Sequence, residues 1–296
     1  MSLLKKSKLA LGYLLAGVRQ KLVGAHVEAF LVATRNGRLL VPSLDLGVGK
    51  DLAFRGEYDW EKLERLFDTL RAEDKVLVVG GHVGAVAIPV SKRSKMVHIV
   101  EANPRTADLL QFNLQINEAL NCVLHRFAAG ARDGEMSFLM SAHNTGGSKL
   151  VLSEAVLDRW EYTYDHPDMV AVPVKSLDHA LGETRFDVVV MDVEGAEYQA
   201  MQGMRQILCG ARVFLVEVIP NHLRDMAGLS VRQFLSEIWG FGFNRALVLS
   251  EGAAVEFGAD ESSRLAEEIV RSSDRHLCDV IFLRCGDRIG AKGDEG

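Results

Sequence analysis

The chain has 296 residues, 48% of them hydrophobic and 25% charged, with a formal net charge of -6. Such a length and balance describe a globular protein able to bury one large core or two modest ones. The acidic balance argues against general nucleic-acid binding, which needs a basic face, and no run reaches the ~20 apolar residues of a membrane span.

Residues 1–23 read as an amphipathic packing helix. Residues 27–33 and 38–41 flank Asn36-Gly37 and read as a hairpin with a type I′ turn. Residues 1–56 are thus expected to form an N-terminal helix and hairpin extension, and residues 57–296 the main domain. A helix follows over roughly residues 59–71, with Leu63, Leu66, Phe67 and Leu70 at helical spacing. From Lys75 the pattern alternates between strand and helix, with strands expected at 76–79, 97–100 and 123–128. Asn103 and Pro104 open one of the helices as N-cap and first helical residue. Residues 136–140 read as an antiparallel excursion, and residues 141–170 as a long polar and aromatic insertion. Strands at 187–191 and 213–218 continue the pattern. A helix between them carries Met201, Met204 and Leu208 on one face and ends near Gly210. Elements at 231–239, 247–249, 262–270 and 280–283 complete the chain. Alternation of this kind implies an α/β fold with a doubly wound, mostly parallel sheet.

Cys122, Cys209, Cys278 and Cys285 show neither CxxC nor zinc-type spacing. Three of them lie in or beside apolar runs and read as buried, reduced thiols. No convincing signal peptide precedes them, so the chain reads as cytoplasmic. Oligomeric state leaves no mark in the sequence.

Two motifs carry chemistry. The first is the strand 76–79 running into Gly80-Gly81-His82-Val83-Gly84. Glycine suits a tight turn that a ligand must approach closely. Glu101 ends the next strand about twenty residues on, where a carboxylate can accept both hydroxyl protons of a ribose. A nicotinamide dinucleotide needs the turn open to pyrophosphate, and His82 crowds that register. S-adenosylmethionine carries no phosphate and bears a sulfonium cation, which suits an acidic pocket. The second motif is Asp192-Val193-Glu194-Gly195-Ala196-Glu197 at the tip of a buried strand. Ligands collect beyond such tips, and carboxylates are costly to desolvate there unless a cation or a mobile proton is expected.

These residues resemble the FkbM family of class I methyltransferases. The resemblance spans roughly residues 57–283. It rests on Gly80 to Gly84, on Glu101-Ala102-Asn103-Pro104 with Asn113 and Asn117, and on Asp192 to Glu197 with Gly203. Glu217-Val218-Ile219-Pro220 and Gly240-Phe241-Gly242-Phe243 add to it. It implies a Rossmann-like seven-stranded sheet and an S-adenosylmethionine-dependent O-methyltransferase acting on a hydroxyl of a small molecule, sugar or glycan. Three departures stand out. Val78 replaces an acid that would orient the donor's methionine end, His82 replaces an asparagine, and Pro89 should kink the helix after the turn.

On this reading Glu101 holds the ribose, Gly80, Gly81, His82 and Gly84 meet the methionine part, and Asn103 borders the same cofactor site. Asp192 positions or deprotonates the acceptor hydroxyl, with Glu194 second and His222 an alternative base. Asp192 and Glu217 end neighbouring strands and could instead hold Mg²⁺. The loop 144–148 could cover the substrate, and Trp160, Tyr162 and Tyr164, with Asp165 and His166, could offer a stacking face. Two rival readings are a methyltransferase-like binding protein without turnover and a nicotinamide-dependent oxidoreductase.

Overall fold

The computed structural model describes residues 22, 24, 26–153, 165–250, 253–273 and 278–287. The expected N-terminal helix lies almost wholly outside the described residues, as do Trp160, Tyr162 and Tyr164.

Strands β1 (Ala29–Thr34) and β2 (Gly37–Pro42) pair antiparallel across Arg35 and Asn36. The turn is not the type I′ expected from Asn-Gly. Gly37 has φ 133°, but Asn36 keeps a negative φ. Tertiary bonding explains the difference. The Asn36 side chain is buried, accepts from the Tyr58 N–H at 2.9 Å, and donates to the carbonyls of Tyr58 and Ala85 at 2.8 Å each. Ala85 lies four residues before Pro89, whose ring has no N–H to give it. Pro89 sits inside the five-residue helix Ala87–Ser91. Asn36 therefore supplies from outside the hydrogen bond that Pro89 removes.

The main sheet runs from β3 (Lys75–Val79), β4 (Met96–Val100) and β5 (Cys122–His125) to β10 (Val188–Met191), β11 (Val213–Glu217), β12 (Arg245–Ser250), β13 (Ala253–Gly258) and β14 (Asp279–Leu283). Their spatial order is β13-β12-β14-β11-β10-β3-β4-β5. The pairings from β5 through β11 are parallel and those beyond are antiparallel. This is the Rossmann-like arrangement expected, with β13 extending it to eight strands at one edge.

The apolar run expected as one strand over 123–128 divides. Its first part is β5, and Ala128–Ala129 leaves as β6 for a second sheet. There β7 (Gly134–Met140), β8 (Lys149–Leu150) and β9 (Asp168–Lys175) complete the order β6-β9-β7-β8. The excursion at 136–140 is thus β7, antiparallel to β9. The helix expected after β10 breaks into Glu197–Gln202 and Arg205–Gly210. A Cβ on Gly203 would lie 1.9 Å from the Gly130 carbonyl oxygen, so the second sheet presses on the break. Of the cysteines only Cys278 is buried, while Cys209 and Cys285 are exposed.

Both faces of the main sheet are covered. Val79, Val189, Met191, Phe214 and Val216 pack with Met201, Met204, Leu208, Phe234 and Leu235 on one face. Val76, Val78, Val188, Val190 and Leu215 pack on the other with Leu39, Val41, Leu52, Leu63, Ile88 and Leu110. The hairpin and the helices Val48–Arg55 and Trp60–Phe67 therefore belong to the second core. Two asparagines of the helix Pro104–Ile116 and its cap bind β2 as a neighbouring strand would. Asn113 accepts from the Leu40 N–H at 2.6 Å and donates to its carbonyl at 3.0 Å, and Asn117 does the same to Arg38 at 3.0 and 2.7 Å. Among the described residues no helix is long and apolar enough to cross a membrane.

Asn36→Ala leaves buried backbone groups of Tyr58 and Ala85 bare, each worth ~1–3 kcal/mol. Urea unfolding should show a loss of at least ~2 kcal/mol, with the slope m unchanged.

Candidate active site

The carboxyl ends of β3, β4 and β10 open onto a cavity of about 460 Å³, a size typical of small-ligand sites. Gly80, Gly81, His82, Glu101, Asp192, Glu194 and His222 all line it. Sequence positions from four separate regions therefore meet at one place. Asn144, Thr145, Gly146 and Ser148 of the insertion form one wall, and Val48, Tyr58 and Lys62 of the preceding segment form another.

Gly80 has φ 94°, and a Cβ there would lie 1.8 Å from the Asp192 carbonyl oxygen. Only glycine allows this approach. It brings the tip of β3 against the tip of β10, where the Asp192 N–H donates to the Val79 carbonyl at 2.9 Å. Four amides of the turn are already used. Gly80 and Gly81 both donate to the Val100 carbonyl, at 2.9 and 3.1 Å, and Gly84 donates to Gly81 at 2.9 Å. His82 donates its N–H to Glu101 Oε2 at 2.6 Å.

Glu101 is buried and also accepts, at Oε1, from the Asn103 N–H at 2.8 Å and the Thr106 hydroxyl at 3.0 Å. Its first task is to tie the turn after β3 to the turn after β4. A carboxylate offers about four acceptor positions, so one on Oε2 remains toward the cavity. His82 adopts φ 45° and places Nε2 2.7 Å from the Thr145 hydroxyl, joining the glycine turn to the insertion. Its Nδ1 is buried without a hydrogen-bond partner among the described residues.

Two expected cofactor residues do not line the cavity. Gly84, at φ 91°, is there because a Cβ would press on Leu110 and Ile88 at 2.8 and 3.0 Å. Asn103 is buried, caps its helix by accepting from the Arg105 N–H at 3.0 Å, and reaches Ser148 at 3.4 Å. Val78 is also buried, between Val190 and Ile99 in register, on the face that the N-terminal segments cover. An apolar side chain suits that contact.

At the floor, carboxylate oxygens of Asp192, Glu194 and Glu217 lie within 4.8 Å of one another. Burial pushes the Asp192 carboxyl up to about 8, with Glu194, Asp279 and Glu197 adding to the rise and Lys62 opposing it. Burial likewise raises Glu217 well above the usual carboxylate range, helped by Asp192 and Glu194. Glu217 Oε2 has no hydrogen-bond partner among the described residues. Glu194, at φ 54°, pairs with Lys149 at 3.3 Å. Glu197 is structural: its buried carboxylate accepts from the Val193 and Gly195 N–H groups at 3.2 and 3.1 Å. The imidazole of His222 packs against Gly195, whose added Cβ would meet His222 Cγ at 3.4 Å.

Tyr58, Lys62, Lys149 and Asp279 are the participants that sequence reasoning missed. Lys62 is buried between Asp59 at 2.6 Å and Asp279 at 3.2 Å. Burial pulls its ammonium down, but Asp279 and Asp59 outweigh that and hold it charged. One signal was available. Tyr58, Lys62 and Leu66 recur every four residues on the apolar stripe, so Lys62 interrupts a face that should be hydrophobic.

Residues 79–243, more than half of the chain, match the methyltransferase FkbM domain family. Among solved structures, the chain is similar to methyltransferase FkbM from Methylobacillus flagellatus KT, at 15% identity and TM-score 0.44, covering 73% of this chain and 47% of that one. The chain thus spans about half the length of that relative. It is also similar to precorrin-6y C5,15-methyltransferase from Geobacter metallireducens GS-15, at 11% identity and TM-score 0.42, covering 80% and 93% of the two chains. M. jannaschii TYW2 in complex with AdoMet is similar at 10% identity and TM-score 0.43, covering 87% of each chain. No curated protein matches the sequence significantly.

Glu217→Gln removes a buried carboxyl that the fold favours in its protonated, neutral form. In chelating buffer at neutral pH it should raise the thermal midpoint, with a gain of ~1–3 kcal/mol. The wild-type carboxyl holds a proton in the fold that the unfolded chain releases, so wild-type stability falls as pH rises above the ordinary carboxylate range. The gap between the two proteins should therefore close as pH is lowered, which melting curves across pH will test.

Proposed function

The chain belongs to the FkbM family of S-adenosylmethionine-dependent methyltransferases, and from that premise we propose that it methylates a hydroxyl oxygen of a small molecule, sugar or glycan. The observation that carries this reading is Asp192. It stands at a strand tip in the same cavity as the glycine turn, with its carboxyl raised by burial to about 8. A base is most effective when its pKa lies near the working pH.

The residues present fit the methyl donor. Four of the turn's N–H groups, those of Gly80, Gly81, His82 and Gly84, are spent within the chain, and the His82 side chain stands among them. That weighs against a dinucleotide. The acidic floor suits a sulfonium, and the unpartnered His82 Nδ1 is a polar atom awaiting a ligand. S-adenosylmethionine, when bound, supplies a methyl group on positively charged sulfur.

The chain's own residues divide the work as follows. Glu101 Oε2 accepts one ribose hydroxyl at its remaining position while holding the turn in shape. Gly80 and Gly81 give a wall without side chains, and His82 contributes Nδ1 where the family carries an asparagine. Asp192 orients the acceptor hydroxyl toward the methyl carbon and takes its proton, with Glu194 and His222 beside it. Alignment of this kind can supply roughly 7–11 kcal/mol of a barrier. The loop 144–148, latched to His82 through Thr145, excludes water from the reacting centre.

Isothermal titration with S-adenosylhomocysteine should show one site per chain and no response to NAD. Silence toward both would favour a binding protein without turnover. Glu101→Gln should weaken that binding at least tenfold. Asp192→Asn should slow methyl transfer ~100-fold or more while changing S-adenosylhomocysteine affinity little, and a fully active variant would move the chemistry elsewhere.

A further inference from the structure

We propose that Asp192, Glu194 and Glu217 bind a hard divalent cation at the acceptor end of the cavity. Three oxygens from two strand tips and the turn between them lie within 4.8 Å of one another. Calcium takes oxygen ligands at 2.3–2.6 Å, so opposite ligands stand about 5 Å apart, while magnesium at 2.0–2.1 Å draws them to about 4 Å. The separations in the cluster fall within the span that the ligands of such an ion occupy.

A second observation points to the ion. Glu217 is 4% exposed, and its Oε2 lacks any hydrogen-bond partner among the described residues. The neighbouring cations are engaged elsewhere. Lys62 is held between Asp59 and Asp279, and Lys149 reaches only Glu194. No ion pair of a lysine or arginine with Asp192 or Glu217 is formed among the described residues. Glu194 reaches the cluster through a positive φ of 54°, a conformation uncommon for a residue with a Cβ. A divalent ion satisfies all three carboxylates at once.

With an ion bound, Asp192 is a ligand rather than the base, and the acceptor's proton passes to His222, which lines the same cavity; the proposal rests on the methyl-transfer reading only for this consequence. An ion on Asp192 leaves coordination positions facing the cavity. An acceptor with two adjacent oxygens, such as a vicinal diol, fills them and has its hydroxyl acidified.

The full chain, stripped with chelator and dialysed, is titrated calorimetrically with Mg²⁺, Mn²⁺ and Ca²⁺ in separate runs without any methyl-donor analogue. The proposal expects one saturable site for at least one ion and a rise in thermal midpoint on adding it. Glu217→Gln should weaken that binding at least tenfold while S-adenosylhomocysteine affinity stays within a factor of about three of wild type. Far-UV circular dichroism checks that the variant folds, and Glu194→Gln serves if it does not. No heat and no stabilisation by any of the three ions at millimolar concentration overturns the proposal, as does binding that both substitutions leave intact. Binding of S-adenosylhomocysteine without a cation would leave the methyltransferase reading standing. Cation binding without that ligand would leave this site and remove the reading.

Discussion

The close approach of Gly80 to the Asp192 carbonyl fixes the rest of the site. Two neighbouring parallel strands end there with their backbones in contact, which any Cβ would prevent. The contact sets the glycine turn beside the acid-bearing turn, so that one cavity spans both. Glu101 then secures the arrangement by gathering donors from the turns after β3 and β4. A carboxylate first sight would assign wholly to a ligand is mostly committed to the protein, and what it leaves toward the cavity is a single remaining position.

Charge is distributed unevenly around this frame. The floor concentrates carboxylates at the tips of β10, β11 and β14; Lys149 pairs with Glu194, and Lys62 is divided between Asp59 and Asp279. Such a floor is costly to bury without cations. Tight burial of acids that the fold itself does not neutralise is the mark of a place arranged for something arriving from solution.

Much of this was legible in the sequence where the signal is local. The N-cap of Asn103, the glycine turn, and the strand ending at Asp192 depend on residues close in sequence, and each falls where the pattern puts it. What escaped depends on distant contacts. Asn36-Gly37 carries the local signature of one turn type, but bonds to Tyr58 and Ala85 override it. The run after Cys122 is broken by His125 and Arg126, and the chain leaves one sheet for another just there, a polar interruption too short to read as a strand end on its own. Gly203 looks like a helix interior until the Gly130 carbonyl is known to lie against it. Lys62 and Asp279 reach the site only because an early helix and the last strand fold over it. Val78, which also lines the cavity, keeps its apolar contacts with Val190 and Ile99 in register.

The bond from Asn36 to the Ala85 carbonyl makes two oddities of the chain a single device. A proline in the helix beyond the glycine turn would ordinarily be a defect, and a turn asparagine buried under a hairpin would ordinarily be wasteful. Joined, they make the hairpin a mechanical part of the half that carries the glycine turn. Transplanting residues 57–296 alone into a chimera would carry the proline without its remedy, and engineers dividing this chain should cut before the hairpin.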